Sequence, residues 1–266
     1  MAIPDASKKD NDKNNGIGKS PDIKGRIAAR NPLPAVSPAI ITGGVNGRHE
    51  LKFSVNAADC AQLRARLGIV AKPDENAGPD GGYAIRSMYF DNYSDKAITE
   101  KLSGQSRREK FRLRYYNGDT SFIRLEKKSK SNQLAYKESA IITAEQCAAV
   151  LAGNYGLLNT PDTPLFAELY AKIRYQSLRP KNIVDYHREA YVYKAGNVRV
   201  TFDSNIRTSN FAARFLEPGS VTIPAAAAVV LEIKYDGFLP DIIRDILQIG
   251  WRNRQEFSKY VAARLV

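Results

Sequence analysis

From Lys110 to Lys128, cationic side chains recur at every second position: Lys110, Arg112 and Arg114, then, beyond a turn, Arg124 and Lys128 with Glu126 between them. Apolar residues fill alternate positions, Phe111, Leu113, Ile123 and Leu125. Side chains of a strand point alternately to its two faces, so this hairpin has one apolar and one charged face. The same alternation gives Glu50 and Lys52; Tyr186 and Arg188; Arg199, Thr201 and Asp203; and Glu232 and Lys234. Cations gathered on one wall repel each other unless an anion fills the space. Phosphate suits them, because arginine makes forked contacts with its oxygens and lysine adds a compact charge. The single carboxylates have a complementary use: Glu232 or Glu50 offers oxygen to a divalent cation bridging phosphates. Phosphoryl transfer between phosphates is the chemistry such a wall serves, since it needs in-line positioning and charge stabilisation rather than a covalent nucleophile.

The elements that must carry these residues alternate along the chain. Strand patterns cover "HELKFSV", "GYAIRSMYFDN", "EKFRLRYY", "SFIRLEKKSK", "LAYKESAII", "NIVDYHREAYVY", "VRVTFDSNI" and "AVVLEIKYD". Helical patterns fall between them: a helix capped by Asn56, a short one in "SDKAITEKL", one opened by a Thr143 to Gln146 capping box and closed by Gly153, and the longest with Pro164 in its first turn. Two more, in "LPDIIRDILQIG" and "EFSKYVAARL", end the chain. An α+β fold follows, built on a large, mainly antiparallel sheet, and the run of cations on one face reads as the interior of a closed or cupped sheet rather than as a plain solvated face. For Arg112, Arg124 and Glu126 to share a face, the hairpin turn is expected to span three residues, Tyr116 to Gly118, with Gly118 left-handed.

Charge supports an anionic partner. Forty Lys and Arg against 28 Asp and Glu give a net +12 over 266 residues. The first 47 residues, rich in Lys, Asp, Asn, Pro and Gly without a sustained period, read as a flexible tail holding seven cations and four acids, which leaves +9 for residues 48–266. Cys60 and Cys147 fall in amphipathic helical stretches and read as buried thiols. No apolar run approaches the ~20 residues of a membrane span, and the start lacks the apolar core of a secretory signal, so a cytoplasmic location is expected. His49 and His187 alternate with the charged row and read as packing or surface residues, Trp251 as a helix-end anchor, and Arg107 and Arg108 as a solvated turn. Arg179 either closes the mouth of a tunnel or ends a helix. Walker loops, zinc spacings, His-Glu-x-x-His and nucleophile elbows are absent, which removes the corresponding enzyme classes.

In order, "RHELKF", "IRSMYFDN", "EKLSG", "KFRLRYY", "LEKKSK", "DYHREAYV", "VRVTFD", "LEIKYDG" and "EFSKYVA" resemble the VTC domain of the vacuolar transporter chaperone polyphosphate polymerases, within the triphosphate tunnel metalloenzyme superfamily. The resemblance runs from about Arg48 to the C-terminus. It implies an α+β fold whose antiparallel β-barrel forms a tunnel with a basic interior, flanked by helices, that binds ATP and inorganic polyphosphate with Mn²⁺ or Mg²⁺, passes the γ-phosphate to the growing chain and releases ADP. Under it, Arg112, Arg114, Arg188 and Arg199 grip the triphosphate, and Lys128, Lys137 and Lys259 stabilise the chain and transition state. Lys52, Arg124, Tyr186, Lys234 and Ser258 complete the binding set, and Glu232 with Glu50 serves the metal. Fungal relatives carry a sensing domain in front and membrane spans behind, neither of which this chain shows, so docking to a membrane protein is the route by which it would reach a membrane. Hydrolases of the superfamily typically open with Glu-x-Glu-x-Lys, whereas Arg48-His49-Glu50-Leu51-Lys52 keeps one glutamate of the two. Two other readings stay open: a tunnel that holds polyphosphate or nucleotide without turnover, and a tri- or polyphosphate hydrolase of the same fold. Nucleic acid is not the expected partner, because the basic residues alternate with apolar ones instead of clustering with aromatics.

Overall fold

A computed structural model describes residues 48–131, 134–248 and 257–266. The tail expected over residues 1–47 and the anchor expected at Trp251 lie outside the described residues. Ten strands form one sheet: β1 (His49–Val55), β2 (Lys72–Pro73), β3 (Gly82–Asp91), β4 (Arg107–Tyr116), β5 (Asp119–Ser131), β6 (Leu134–Ile142), β7 (Arg179–Tyr193), β8 (Val198–Ser209), β9 (Ile223–Ala226) and β10 (Val229–Tyr235). The hydrogen-bonded order is β1-β10-β8-β7-β3-β4-β5-β6, with β2 added to β7 and β9 to β8, and every pairing is antiparallel. Six helices flank it: α1 (Ala57–Val70), α2 (Lys96–Leu102), α3 (Ala144–Leu151), α4 (Pro164–Gln176), α5 (Asp241–Ile246) and α6 (Lys259–Arg264).

The expected caps are in place. Asn56 and Thr143 each form a reciprocal capping box with the residue three positions on, satisfying amide groups that a helix start leaves without partners. The apolar faces of the strands are packed as the alternation requires. Phe111, Leu113, Ile123 and Leu125 meet Cys147 and Val150 of α3 and Phe166 and Leu169 of α4 in one core. Val200, Phe202, Leu231 and Ile233 meet Cys60, Leu63 and Leu67 of α1 in another. Both thiols are free and buried, and burial pushes Cys147 up to about 12.

Two expectations are corrected. The sheet is not closed: its path ends at β1 and β6, so the seam between them is not a backbone ladder. It curls nonetheless, because Lys128 of β5 reaches Glu50 of β1 at 2.8 Å. Right-handed twist and irregularities in the β3–β7, β7–β8 and β4–β5 pairings bend the sheet into this cup. The β4–β5 turn is also shorter than expected. Tyr116 pairs with Asp119 across Asn117 and Gly118, whose φ values of 52° and 72° make the two-residue turn favoured by Asn-Gly. A register shift beyond Arg114 compensates, and Arg114 comes opposite Arg124 and Arg112 opposite Glu126. The charged residues therefore share one face as predicted, by a different route. Asn117 also ties the turn to β3, its side chain accepting from the Ala84 amide at 2.9 Å.

Candidate phosphate-binding site

Register places the charged residues of β1, β4, β5, β7, β8 and β10 on the concave face, where side-chain contacts join them. Glu126 is the hub on β5 and is only 1 % exposed. Arg112 donates to it at 2.6 Å, the Lys137 ammonium lies 2.6 Å from its other oxygen, and Arg114 stands 4.0 Å away. Burial opposes the charge on Glu126, but Arg112, Arg114 and Lys137 hold its carboxyl far below the usual range. Both arginines are also fixed by hydroxyls: Arg112 donates to Tyr89 at 3.1 Å, and Arg114 to Ser87 at 3.0 Å and Tyr186 at 2.9 Å. Arg124 stacks on Phe122, 4.8 Å from the ring centre.

Across the cup, Arg188 makes a forked pair with Asp203 at 2.6 and 2.8 Å and reaches Glu232 at 3.3 Å. Lys259, at the start of α6, pairs with the same Asp203 and lies 4.7 Å over the Tyr186 ring. Lys234 sits 3.1 Å from Glu232, and Glu50 takes Lys52 and Lys128. Despite burial, Lys234, Lys52 and Arg188 keep Glu232 well below the ordinary carboxylate range. Glu50 is likewise lowered against the cost of burial, chiefly by Lys128. Arg199 is on the same face and is tied to the buried Tyr83 at 2.8 Å and the buried Asp74 at 2.6 Å.

Glu50 and Glu232 stand on the adjacent strands β1 and β10, close enough that the Glu232 charge works against ionisation of Glu50, yet the lysines around them keep both carboxyls lowered. Mg²⁺ and Mn²⁺ take one or two such carboxylates and complete their shell with phosphate oxygens. The donor set fits that demand. Among the described residues there is no cluster of three or more His, Cys, Asp or Glu side chains that would cage a metal unaided.

Lys110 and Tyr89 form a further pair on this face. The Lys110 ammonium is 5.6 Å over the Tyr89 ring, and Tyr89 stacks on Tyr260 of α6 at 4.9 Å. Burial lowers Lys110 to about 7, opposed by the pull of Tyr89 and helped by repulsion from Lys128, Arg112 and Lys52. Burial disfavours the Tyr89 phenolate, yet Arg112, Lys110 and Arg114 bring its phenol down to about 7. Tyr260 is fixed from behind, donating to the buried Asp91 at 2.9 Å.

Residues 47–266 match the VTC domain family. The chain belongs to that family. No curated protein matches it. Among solved structures, a Hippeastrum protein described as a candidate adenylyl cyclase with a dominant triphosphatase activity is 13 % identical, with 82 % of this chain and 95 % of that one covered and a TM-score of 0.49. A candidate adenylate cyclase from Bacillus halodurans is 13 % identical over 71 % of this chain and 81 % of its own, at 0.43. An inorganic triphosphatase is 13 % identical over 83 % and 97 %, at 0.30. Membership rests on the family match.

Within this VTC domain, the predicted site residues Glu50, Lys52, Arg112, Arg114, Arg124, Lys128, Lys137, Tyr186, Arg188, Arg199, Glu232, Lys234 and Lys259 share the concave face or reach into it. Ser258 instead caps α6, its hydroxyl accepting from the Val261 amide. Arg179 ends α4, donating to the Ile173 and Leu178 carbonyls. His49 stacks on Tyr235 and His187 pairs with Asp80, as residues outside the charged row. Gly82 is required beside this histidine, since a Cβ there would stand 2.3 Å from the His187 ring. Sequence reasoning assigned no site residue on β3. Tyr83, Ser87 and Tyr89 hold three of the arginines, yet β3 is buried on both faces and shows no polar alternation. Glu126 and Asp203 stood on the predicted face, but their role as hubs becomes visible only when the strands are side by side.

Proposed function

We propose that the chain is a polyphosphate polymerase that transfers the γ-phosphate of ATP to the end of an inorganic polyphosphate chain and releases ADP. The observation that carries this reading is the convergence of Arg112, Arg114, Lys128, Lys137, Arg188 and Lys259 on one concave face. A terminal oxygen of the chain attacks the γ-phosphorus while the bond to the β–γ bridging oxygen breaks, and ADP takes that electron pair. Arg112 and Arg114, locked by Glu126, Tyr89, Ser87 and Tyr186, present donors without rearranging, which is the preorganisation that stabilises developing charge. Arg188 and Lys259, both anchored on Asp203, face them from the other wall. Glu50 and Glu232 would hold Mn²⁺ or Mg²⁺, which supplies neutralisation of charge on phosphate oxygens.

Incubation of the purified protein with ATP and Mn²⁺, followed by gel separation with polyphosphate staining, tests the proposal. A ladder with matching ADP, lost on chelation, is the expected result. Free phosphate without a ladder would replace it with a hydrolase, and ATP binding without either product would leave a holding module.

A further inference from the structure

A buried hydroxyl on the concave face has no partner. Thr201 of β8 is 3 % exposed, and its Oγ1 makes no hydrogen bond among the described residues. The other buried hydroxyls among them are all paired. Ser87 accepts from Arg114, Thr208 donates to the Ile183 carbonyl at 2.9 Å, and Ser209 accepts from the Phe211 amide. The buried tyrosines pair with arginines, a carbonyl or Asp91. An unpaired buried hydroxyl costs stability, so Thr201 is a group that the fold keeps without satisfying.

Register shows what surrounds it. Thr201 shares its face with Arg199 and Asp203 and stands directly opposite Glu232 of β10, which is itself opposite Lys52 of β1. On its other side it faces Ala190 of β7, whose methyl group offers no polar partner. Cross-strand neighbours hold their Cβ atoms about 5 Å apart, so the Thr201 hydroxyl is within reach of an ion bound by Glu232. Arg199 is taken by Tyr83 and Asp74, and Asp203 by Arg188 and Lys259. An oxygen beside a carboxylate suits a cation better than an anion, and a threonine or serine hydroxyl is an oxygen that Mg²⁺ accepts in other phosphoryl-transfer sites. We propose that the Thr201 hydroxyl is a ligand of the divalent cation, giving it a lone pair from β8 while Glu232 binds it from β10. The proposal rests on the metal-dependent reading given above and adds a neutral oxygen from a third strand to the carboxylates of β1 and β10. The hydroxyl keeps its proton, so the charge of the site is unchanged.

Titration of the full chain with Mn²⁺ alone, the free ion read by its paramagnetic resonance signal, tests the assignment, together with melting in the presence of chelator. Thr201→Val keeps the shape and removes the oxygen. It is expected to weaken Mn²⁺ binding about tenfold, the low end of what residues around a metal contribute. Without metal it should raise Tm by about 2 °C, because an unpaired hydroxyl is gone. Thr208→Val makes the same change farther along β8, where the hydroxyl is paired, and should lower Tm and leave Mn²⁺ affinity unchanged. Thr201→Ser keeps the oxygen and should bind Mn²⁺ within about twofold of wild type. Thr201→Cys offers soft sulfur and should favour Cd²⁺ over Mn²⁺, with a thiolate-to-Cd²⁺ absorption that wild type lacks; a residue acting only through Glu232 would not produce it. Unchanged Mn²⁺ affinity in Thr201→Val, or no such absorption in Thr201→Cys, would overturn the ligand while leaving the polymerase reading intact. Loss of tripolyphosphate binding without metal in Thr201→Val, with Mn²⁺ affinity kept, would make the hydroxyl a phosphate donor instead. Failure of wild type to bind Mn²⁺ would remove both this ligand and the metal-dependent reading.

Discussion

The two walls of the cup carry charge differently. On β4, β5 and β6 the concave face bears Arg108, Lys110, Arg112, Arg114, Arg124, Lys128, Lys130 and Lys137 around one carboxylate among the described residues, Glu126. On β7, β8, β10 and β1 it bears Arg188, Arg199, Lys234 and Lys52 interleaved with Asp203, Glu232 and Glu50. The first wall carries more cations than acids of its own, and its Lys128 draws on Glu50 of the second. The second is nearly neutral by itself, and its cations are already held in place. A wall with surplus cations supplies attraction and a balanced one supplies geometry, and in-line phosphoryl transfer requires both.

The largest expected effect tests the geometric wall. Arg188→Ala should lower polymer formation by about 100-fold, or ~3 kcal/mol, as for removal of one preorganised donor. Arg124→Ala, on the attractive wall and stacked on Phe122, should cost under about tenfold. Initial rates with saturating ATP decide between them, and equal losses would erase the distinction between the walls.

Stability separates the walls next. Asp203 is fully buried and holds both Arg188 and Lys259. Asp203→Asn leaves those two cations short of their counter-charge and should lower unfolding free energy by about 3 kcal/mol. Urea denaturation reads this directly; a change under ~1 kcal/mol would mean that the second wall is not held by its carboxylates.

The distribution of these charges was readable before the strands were assembled, because the period of two assigns every residue of a strand to a face. Its assembly was not. Whether a sheet closes depends on accumulated twist and on irregularities such as the one beyond Arg114, and no single strand displays that sum. The Asn117-Gly118 pair signalled the two-residue turn, yet the compensating shift in β5 left no mark in composition. Tyr89 and Ser87 escaped notice for another reason: on a strand buried on both faces, a tyrosine that positions an arginine looks like core. Lys137 and Lys259 came from family resemblance, since neither lies in a strongly alternating run.

A ligand should act mainly through the attractive wall. Tripolyphosphate at ~100 times its Kd should raise unfolding free energy by about 2.7 kcal/mol, visible as a higher Tm. Because the rungs of β4 to β6 are partly open to solvent, added salt should shrink that gain. A gain indifferent to salt would place the anion away from this wall.

The smallest effect has the opposite sign and belongs to the same wall. Lys110 is lowered to about 7 in the folded protein, first by burial and then by Lys128, Arg112 and Lys52, with Tyr89 opposing. An unfolded lysine titrates near ~10.4. Between these values the unfolded chain binds the extra proton, so stability rises with pH across that window and the penalty is present in full below pH 7. Lys110→Met should therefore stabilise the protein without ligand, by about 1 kcal/mol at pH 6, the scale of a like-charge pair across strands. The advantage should close as pH approaches 10. Melting both proteins at pH 6, 8 and 10 in a Tyr89→Phe background removes the titration of the neighbouring phenol. A gap that stays constant with pH would show that Lys110 carries no buried charge penalty. A closing gap, with weaker tripolyphosphate binding in the same variant, would show that this wall gives up stability without ligand for attraction toward phosphate.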